Sequence, residues 1–247
     1  MEQEIKRIDL NGVNSYLLKQ GGSFILVDTG GHLNMDADFN NRRGMLKMQL
    51  DHAGCTPENL KLILLTHGDS DHVTNVSYLK EEYGVRAAMH ADDLALVEHP
   101  TLEKVMENFH FSSPVYKLIG VFISSTVKKI TQKVLDDFEP FKPDIFVDDG
   151  SGLSEYGFDA RIIHIPGHTP GSIGILTADG DLISGDTFTN TRKPDMAPNA
   201  ADFDLLKQSI GKLAAMKIRT VYPGHGEPFP MSRYLKGKKI PSGKEPI

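Results

Sequence analysis

Four short apolar runs in this chain each end in a glycine-containing turn that carries histidine or aspartate. They read Thr66-His67-Gly68-Asp69-Ser70-Asp71-His72, Pro166-Gly167-His168-Thr169, Ser184-Gly185-Asp186-Thr187 and Pro223-Gly224-His225-Gly226. Imidazole nitrogens and carboxylate oxygens are the donors that zinc, iron and manganese take, and turns at strand ends hold them rigidly. On the extended turn after Thr66, alternate residues point the same way, so His67 and Asp69 can grip one ion while Asp71 and His72 turn toward a second. Gly167, Gly185 and Gly224 each precede a candidate ligand, where glycine lets the chain turn sharply and keeps bulk off the metal.

Between these turns the periodicity alternates between strand and helix. Val13 to Lys19 and Ser23 to Val27 flank Gly21-Gly22 and predict a hairpin. Met45 to Ala53 predicts a helix with Met45, Met48 and Leu50 inward and Gly54 as its stop. Leu60 to Leu65 is a buried strand, Val73 to Tyr83 a helix ended by Gly84, and Val85 to Met89 the next strand. The region from about 94 to 144 breaks this rhythm. Its stripe of Val127, Ile130, Val134 and Phe138 marks a helical insertion, with Phe109, Phe111, Tyr116 and Phe122 as candidate pocket walls. Strands resume at Ile145 to Val147, Ala160 to Ile165, Ile173 to Thr177 and Asp181 to Ser184. A helix from Asp202 to Met216, capped by Asp202, and a strand at Thr220 to Tyr222 follow. Strands and helices in this order predict two stacked sheets with helices outside.

Composition limits the function. With 247 residues and 39% hydrophobic side chains, the chain is expected to form a single domain over 1–247 that contains the insertion. Its 27 basic and 33 acidic residues leave a net charge of -6, against nucleic-acid binding. The tail Lys236-Gly237-Lys238-Lys239 reads as a solvated terminus. The single cysteine, Cys55, excludes an intrachain disulfide and a Cys-rich zinc module. No secretory start and no bilayer-length apolar run is seen, so the expectation is a cytoplasmic protein without a membrane partner.

The four turns, with Val27-Asp28-Thr29-Gly30 before them, resemble the metallo-β-lactamase-fold superfamily over nearly the whole chain apart from the insertion and the tail. That resemblance implies a four-layer αββα sandwich and a dinuclear site. By position, His67, Asp69 and His168 would bind one divalent ion. Asp71, His72 and His225 would bind the other, Asp186 would bridge both, and Asp28 would orient a ligand from behind. A hydroxide between the ions would be the nucleophile, with Asp71 also given a catalytic role. Asp69 stands where members that bind two zinc ions carry a second histidine. Its added negative charge shifts the preference from zinc toward iron or manganese.

The function so implied is a metal-dependent hydrolase of a small ester, thioester or lactone, in the glyoxalase II and lactonase branch. The alternative is a non-haem iron oxidoreductase. Its mononuclear form, like the persulfide dioxygenases, would use His67, His168 and Asp186, and its di-iron form would need a separate redox partner. A nucleic-acid phosphodiesterase is disfavoured by charge, and a non-catalytic metal sensor by the retained ligand set. Arg192 and Lys193 follow Asp186 closely; either can hold a substrate anion, with solvent exposure as the default. A homodimer through the apolar insertion is a further expectation. His32, His52, His90, His99, His110 and His164 lie outside the pattern, in surface or packing roles.

Overall fold

The computed structural model describes residues 3–33, 39–107, 110–111, 114–236 and 238, with the backbone alone over 114–124. In chain order the first part holds strands Gln3–Asp9 (β1), Asn14–Gln20 (β2) and Ser23–Val27 (β3), helix Arg43–His52 (α1) and strand Leu60–Leu64 (β4). Helices Ser70–Val73 (α2) and Val76–Tyr83 (α3) lead to strand Ala87–Met89 (β5). Helices Leu94–Val97 (α4) and Leu102–Glu107 (α5), strand His110–Phe111 (β6) and helix Pro114–Asp137 (α6) come next. Strands Ile145–Phe146 (β7), Ala160–His164 (β8), Ile173–Thr177 (β9), Asp181–Asn190 (β10), Asp195–Met196 (β11) and Asn199–Ala200 (β12) follow. Helix Phe203–Ala214 (α7), strands Thr220–Gly226 (β13) and Phe229–Pro230 (β14), and helix Met231–Leu235 (α8) are last.

The first sheet runs β1-β2-β3-β4-β5-β7 and the second β14-β13-β10-β9-β8, with β11 on β10. Side chains alternate across each strand, so one strand feeds two apolar layers. Leu17, Leu26, Ile63 and Met89 pack on Leu46 and Leu50 of α1 and Val76, Leu79 and Tyr83 of α3. Their neighbours Leu18, Ile25, Leu62, Leu64 and Ala88 face the other way and meet Ile162, Ile173, Ile175 and Ile183 of the second sheet. Ile163, Leu182 and Val221 turn outward onto Leu206, Ile210 and Leu213 of α7. Three apolar layers between four structural layers make the αββα sandwich that the motif resemblance implies. Past the exposed Lys61, burial of β4 on both faces is why Leu62 to Leu65 reads as a continuous apolar run rather than an alternating one.

Several sequence expectations change. The edge strand β1 goes unforeseen because only Ile8 in it is fully buried, and its two apolar residues, Ile5 and Ile8, are three apart and give no strand alternation. In α1 the buried pair is Leu46 and Leu50, one turn apart, while Met45 and Met48 are exposed. The helix expected from Val73 to Tyr83 is broken before Val76, where buried Asn75 donates to the carbonyls of Thr29 and Asn41. Gly84 ends α3 in the left-handed region at φ 61°, as predicted. The region between β5 and β7 is not wholly helical: β6 pairs antiparallel with β12, setting Phe111 opposite Asn199. Val134 and Phe138 of the predicted stripe are buried and Val127 and Ile130 half-buried. Phe109 and the side chains of Tyr116 and Phe122 lie outside the described residues. No helix among the described residues is long and apolar enough to cross a membrane.

Candidate metal centre

Topology brings the predicted ligands together. β3 and β4 are parallel neighbours, so Asp28 and the turn after β4 leave the first sheet at the same end. That turn carries His67 and Asp69, and the first turn of α2 carries Asp71 and His72. In the second sheet β10 and β13 are also parallel, and an irregularity after Gly185 in β10 lets the Asp186 side chain meet that of His225. His168 enters from the loop between β8 and β9.

Two donor sets result, His67 with Asp69 and His168, and Asp71 with His72 and His225, each with its donor atoms within 4.8 Å of one another. Asp69 Oδ2 lies 3.1 Å from His168 Nε2 and 3.7 Å from His67 Nε2. Asp71 Oδ2 lies 3.3 Å from His225 Nε2 and 3.8 Å from His72 Nε2. Asp186 reaches both sets: its Oδ1 is 3.5 Å from His72 Nε2, and its Oδ2 is 3.1 Å from His225 Nε2 and 3.9 Å from His168 Nε2.

Each imidazole presents Nε2 to the centre because its Nδ1 is engaged behind. His168 Nδ1 faces the carbonyl of Asn199 at 3.1 Å, and His225 Nδ1 that of Gly12 at 2.6 Å. His72 Nδ1 faces Asp28 Oδ2 at 2.9 Å. Thr66 Oγ1 gives its proton to Asp28 Oδ2, so it accepts from His67 Nδ1 at 2.9 Å. Protonated Nδ1 in all four leaves the Nε2 lone pair available to a metal. The buried His67 Nε2, His72 Nε2 and Asp186 Oδ1 have no hydrogen-bond partner. Orphaned donor atoms converging on one space fit divalent cations. Asp28 also lies near His67 and His72 but does not compete as a ligand. Its oxygens are occupied by Thr66 N, Thr66 Oγ1 and His72 Nδ1.

Without a cation, the same groups hold one another's protons. Burial disfavours charge on His72, but Asp186, Asp71 and Asp28 outweigh it and lift the imidazole to about 9. Burial is likewise overcome at His168, which Asp69 and Asp186 lift to about 9. His67 is pushed down to about 4, by burial first and then by the neighbouring His72. At Asp71 burial is outweighed by His72 and His225, which hold the carboxyl near 2.

Asp93, which sequence reasoning missed, joins two of these loops. It is fully buried and accepts from Gly68 N at 2.8 Å, Gly171 N at 2.7 Å and Thr169 Oγ1 at 2.7 Å. It thus ties the His67 turn to the His168 loop from the start of the insertion. A buried-carboxylate role is invisible in a string that reads His90-Ala91-Asp92-Asp93. Two glycines behave differently from each other. A Cβ at Gly224 would fall 2.0 Å from Asp186 Oδ1, so this glycine clears the centre. One at Gly167 would strike the backbone of Leu206 at 2.3 Å, so that glycine admits the start of α7 rather than keeping bulk off a metal. Outside the pattern, His90, Asp92 and His164 also lie close together. The His90 and His164 rings stack at 4.1 Å with planes 9° apart, so their in-plane lone pairs run parallel instead of converging.

A family model described as the metallo-beta-lactamase superfamily matches residues 8–225, and the chain belongs to that superfamily. It is 26% identical to the probable metallo-hydrolase YflN of Bacillus subtilis over 228 residues, covering 84% of this chain and 76% of that one. Hydroxyacylglutathione hydrolase GloC of Haemophilus influenzae is 32% identical over 120 residues, 48% of this chain and 44% of that one. TTHA1623, solved in a di-iron-bound form, superposes with a TM-score of 0.64 at 23% identity, covering 91% of this chain and 92% of that one.

Proposed function

We propose that this chain is a hydrolase of small esters, thioesters or lactones that works with two divalent metal ions. The observation that carries the reading is the pair of converging donor sets with Asp186 reaching both and buried donor atoms left unpartnered between them. His67, Asp69 and His168 would hold one ion, Asp71, His72 and His225 the other, with Asp186 between. Bound there, such ions supply Lewis acidity and lower the pKa of water. The chain's own part is orientation. Asp71, kept ionised by His72 and His225, would help to hold the second ion and to orient the attacking water. Asp28 holds the Nδ1 proton of His72, and Thr66 that of His67, so that both rings keep Nε2 forward. Similarity to a probable metallo-hydrolase and a hydroxyacylglutathione hydrolase supports acyl chemistry.

Asp69 favours a second reading, an iron oxidoreductase on the same ligands, and a di-iron-bound relative of this fold gives it support. Elemental analysis of protein purified without added metal, followed by ester, thioester and lactone hydrolysis assays, separates the two. Two ions per chain with turnover that Asp186→Asn abolishes is the expected result. Unchanged metal content and unchanged hydrolysis in that variant would remove the bridging role.

A further inference from the structure

Two cavities meet at the centre and share Asp186, Thr191, Asn199 and His225 as common wall. Their remaining walls differ in chemistry. The first, of about 480 Å³, is apolar on the side formed by Leu33, Leu96, Pro100, Val105, Leu135 and Phe138, most of them from the insertion. The second, of about 600 Å³, carries Arg192, Lys193 and Asp195 beside Met196, Ala197 and Pro198, so cations stand along this cavity and not along the first. Lys238 neutralises Asp195 at 2.6 Å, whereas Arg192 and Lys193 are exposed and form no ion pair among the described residues. These two exposed cations line the same cavity as Asp186 and His225 of the centre.

Resting on the hydrolase reading, we infer that the substrate is amphipathic: an apolar acyl group joined through a thioester or ester to a leaving group that carries a carboxylate or phosphate. The acyl chain lies against Leu135 and Val105, where each methylene leaves water. The leaving group lies toward Arg192 and Lys193, because the departing sulfur or oxygen develops negative charge there and nearby cations favour it. Water oxygen bonds to the acyl carbon, the bond from that carbon to sulfur or oxygen breaks, and the leaving atom takes a proton. The products are a carboxylate and a thiol or alcohol, with no change of oxidation state. An apolar wall on one side and cations on the other also orient the scissile carbonyl at the shared wall without any further contact.

The test uses metal-loaded protein and thioesters from acetyl to octanoyl on three thiols: neutral N-acetylcysteamine, mercaptopropionate and mercaptoethyl phosphate. Calorimetric binding of the matching non-hydrolysable thioethers runs in parallel. The expected kcat/KM rises about three- to fourfold per methylene until the cavity is filled. Both anionic thiols should lower KM about fivefold relative to the neutral one, an advantage that fades at high salt. Whichever anion gains more identifies the group that the cations take. Val105→Phe should move the optimum to shorter chains, and Arg192→Ala with Lys193→Ala should raise KM for the anionic thiols more than for the neutral one. Turnover indifferent to both chain length and charge overturns this assignment and leaves the hydrolase standing. Thioethers that bind with both dependences while no thioester is cleaved would sink the hydrolase and keep the cleft assignment. Absence of both overturns both.

Discussion

Asp69 is the residue at which the proposed metal preference can be tested. A carboxylate 3.1 Å from His168 Nε2 and 3.7 Å from His67 Nε2 adds charge where imidazole would add none. Asp69→His should therefore move metal content from iron or manganese toward zinc, read by elemental analysis; equal zinc in both proteins would show that Asp69 does not set selectivity. Asp28 acts one bond further back. It sits in the left-handed region at φ 59°, a conformation that costs a non-glycine residue of order 1–3 kcal/mol and here aims the carboxylate at Thr66 and His72. Asp28→Asn keeps the shape but cannot accept from all three donors. It should weaken binding of the ion at His72 by about 10–100-fold, measured by competition with a chelator.

At the scale of elements, the centre depends on how separate loops are tied together. Asp93, at the end of the short helical turn after β5, accepts from the loops that carry His67 and His168. Asp93→Ala leaves buried donors without a partner, and a stability loss on the order of 3 kcal/mol is expected. Thermal unfolding of the metal-free protein would read it, and metal affinity at the His168 side should fall as well; a variant as stable and as tight as the parent would show that the tie is dispensable. The N-cap of α7 offers a contrast, since Asp202 accepts from Asp204 N and Leu205 N at the surface. Asp202→Ala should cost about 1 kcal/mol and leave metal content untouched.

Across the whole molecule, the charges at the centre link stability to pH. His72 and His168, lifted to about 9 in the folded metal-free chain, contribute stability that is complete below the ordinary histidine value of 6.5 and lost as pH rises to about 9. His67, lowered to about 4, acts in the opposite sense and costs stability as pH falls below 6.5. Metal-free protein should then be most resistant to denaturant near pH 6.5. Metal-loaded protein should hold its stability toward pH 9, because the cations replace the protons on Nε2. Denaturation midpoints against pH, with and without a chelator, would show two different profiles; coincident profiles would mean that these histidines bind no ion.

The seven residues that converge at the candidate centre, the hairpin, β4, β9 and α7 were legible because each rests on local chemistry. A histidine in a glycine turn, a run of aliphatic residues or an aspartate before an amphipathic stretch carries its meaning in a few neighbours. The edge strand β1, the true inner face of α1, the break at Asn75 and the role of Asp93 were not. Each depends on what packs or bonds against it from far along the chain: Asn75 meets Thr29 and Asn41, and Asp93 meets Gly68, Thr169 and Gly171. Burial and hydrogen-bond satisfaction are properties of the assembled core, so a polar residue committed to them looks in the sequence like any residue of a loop.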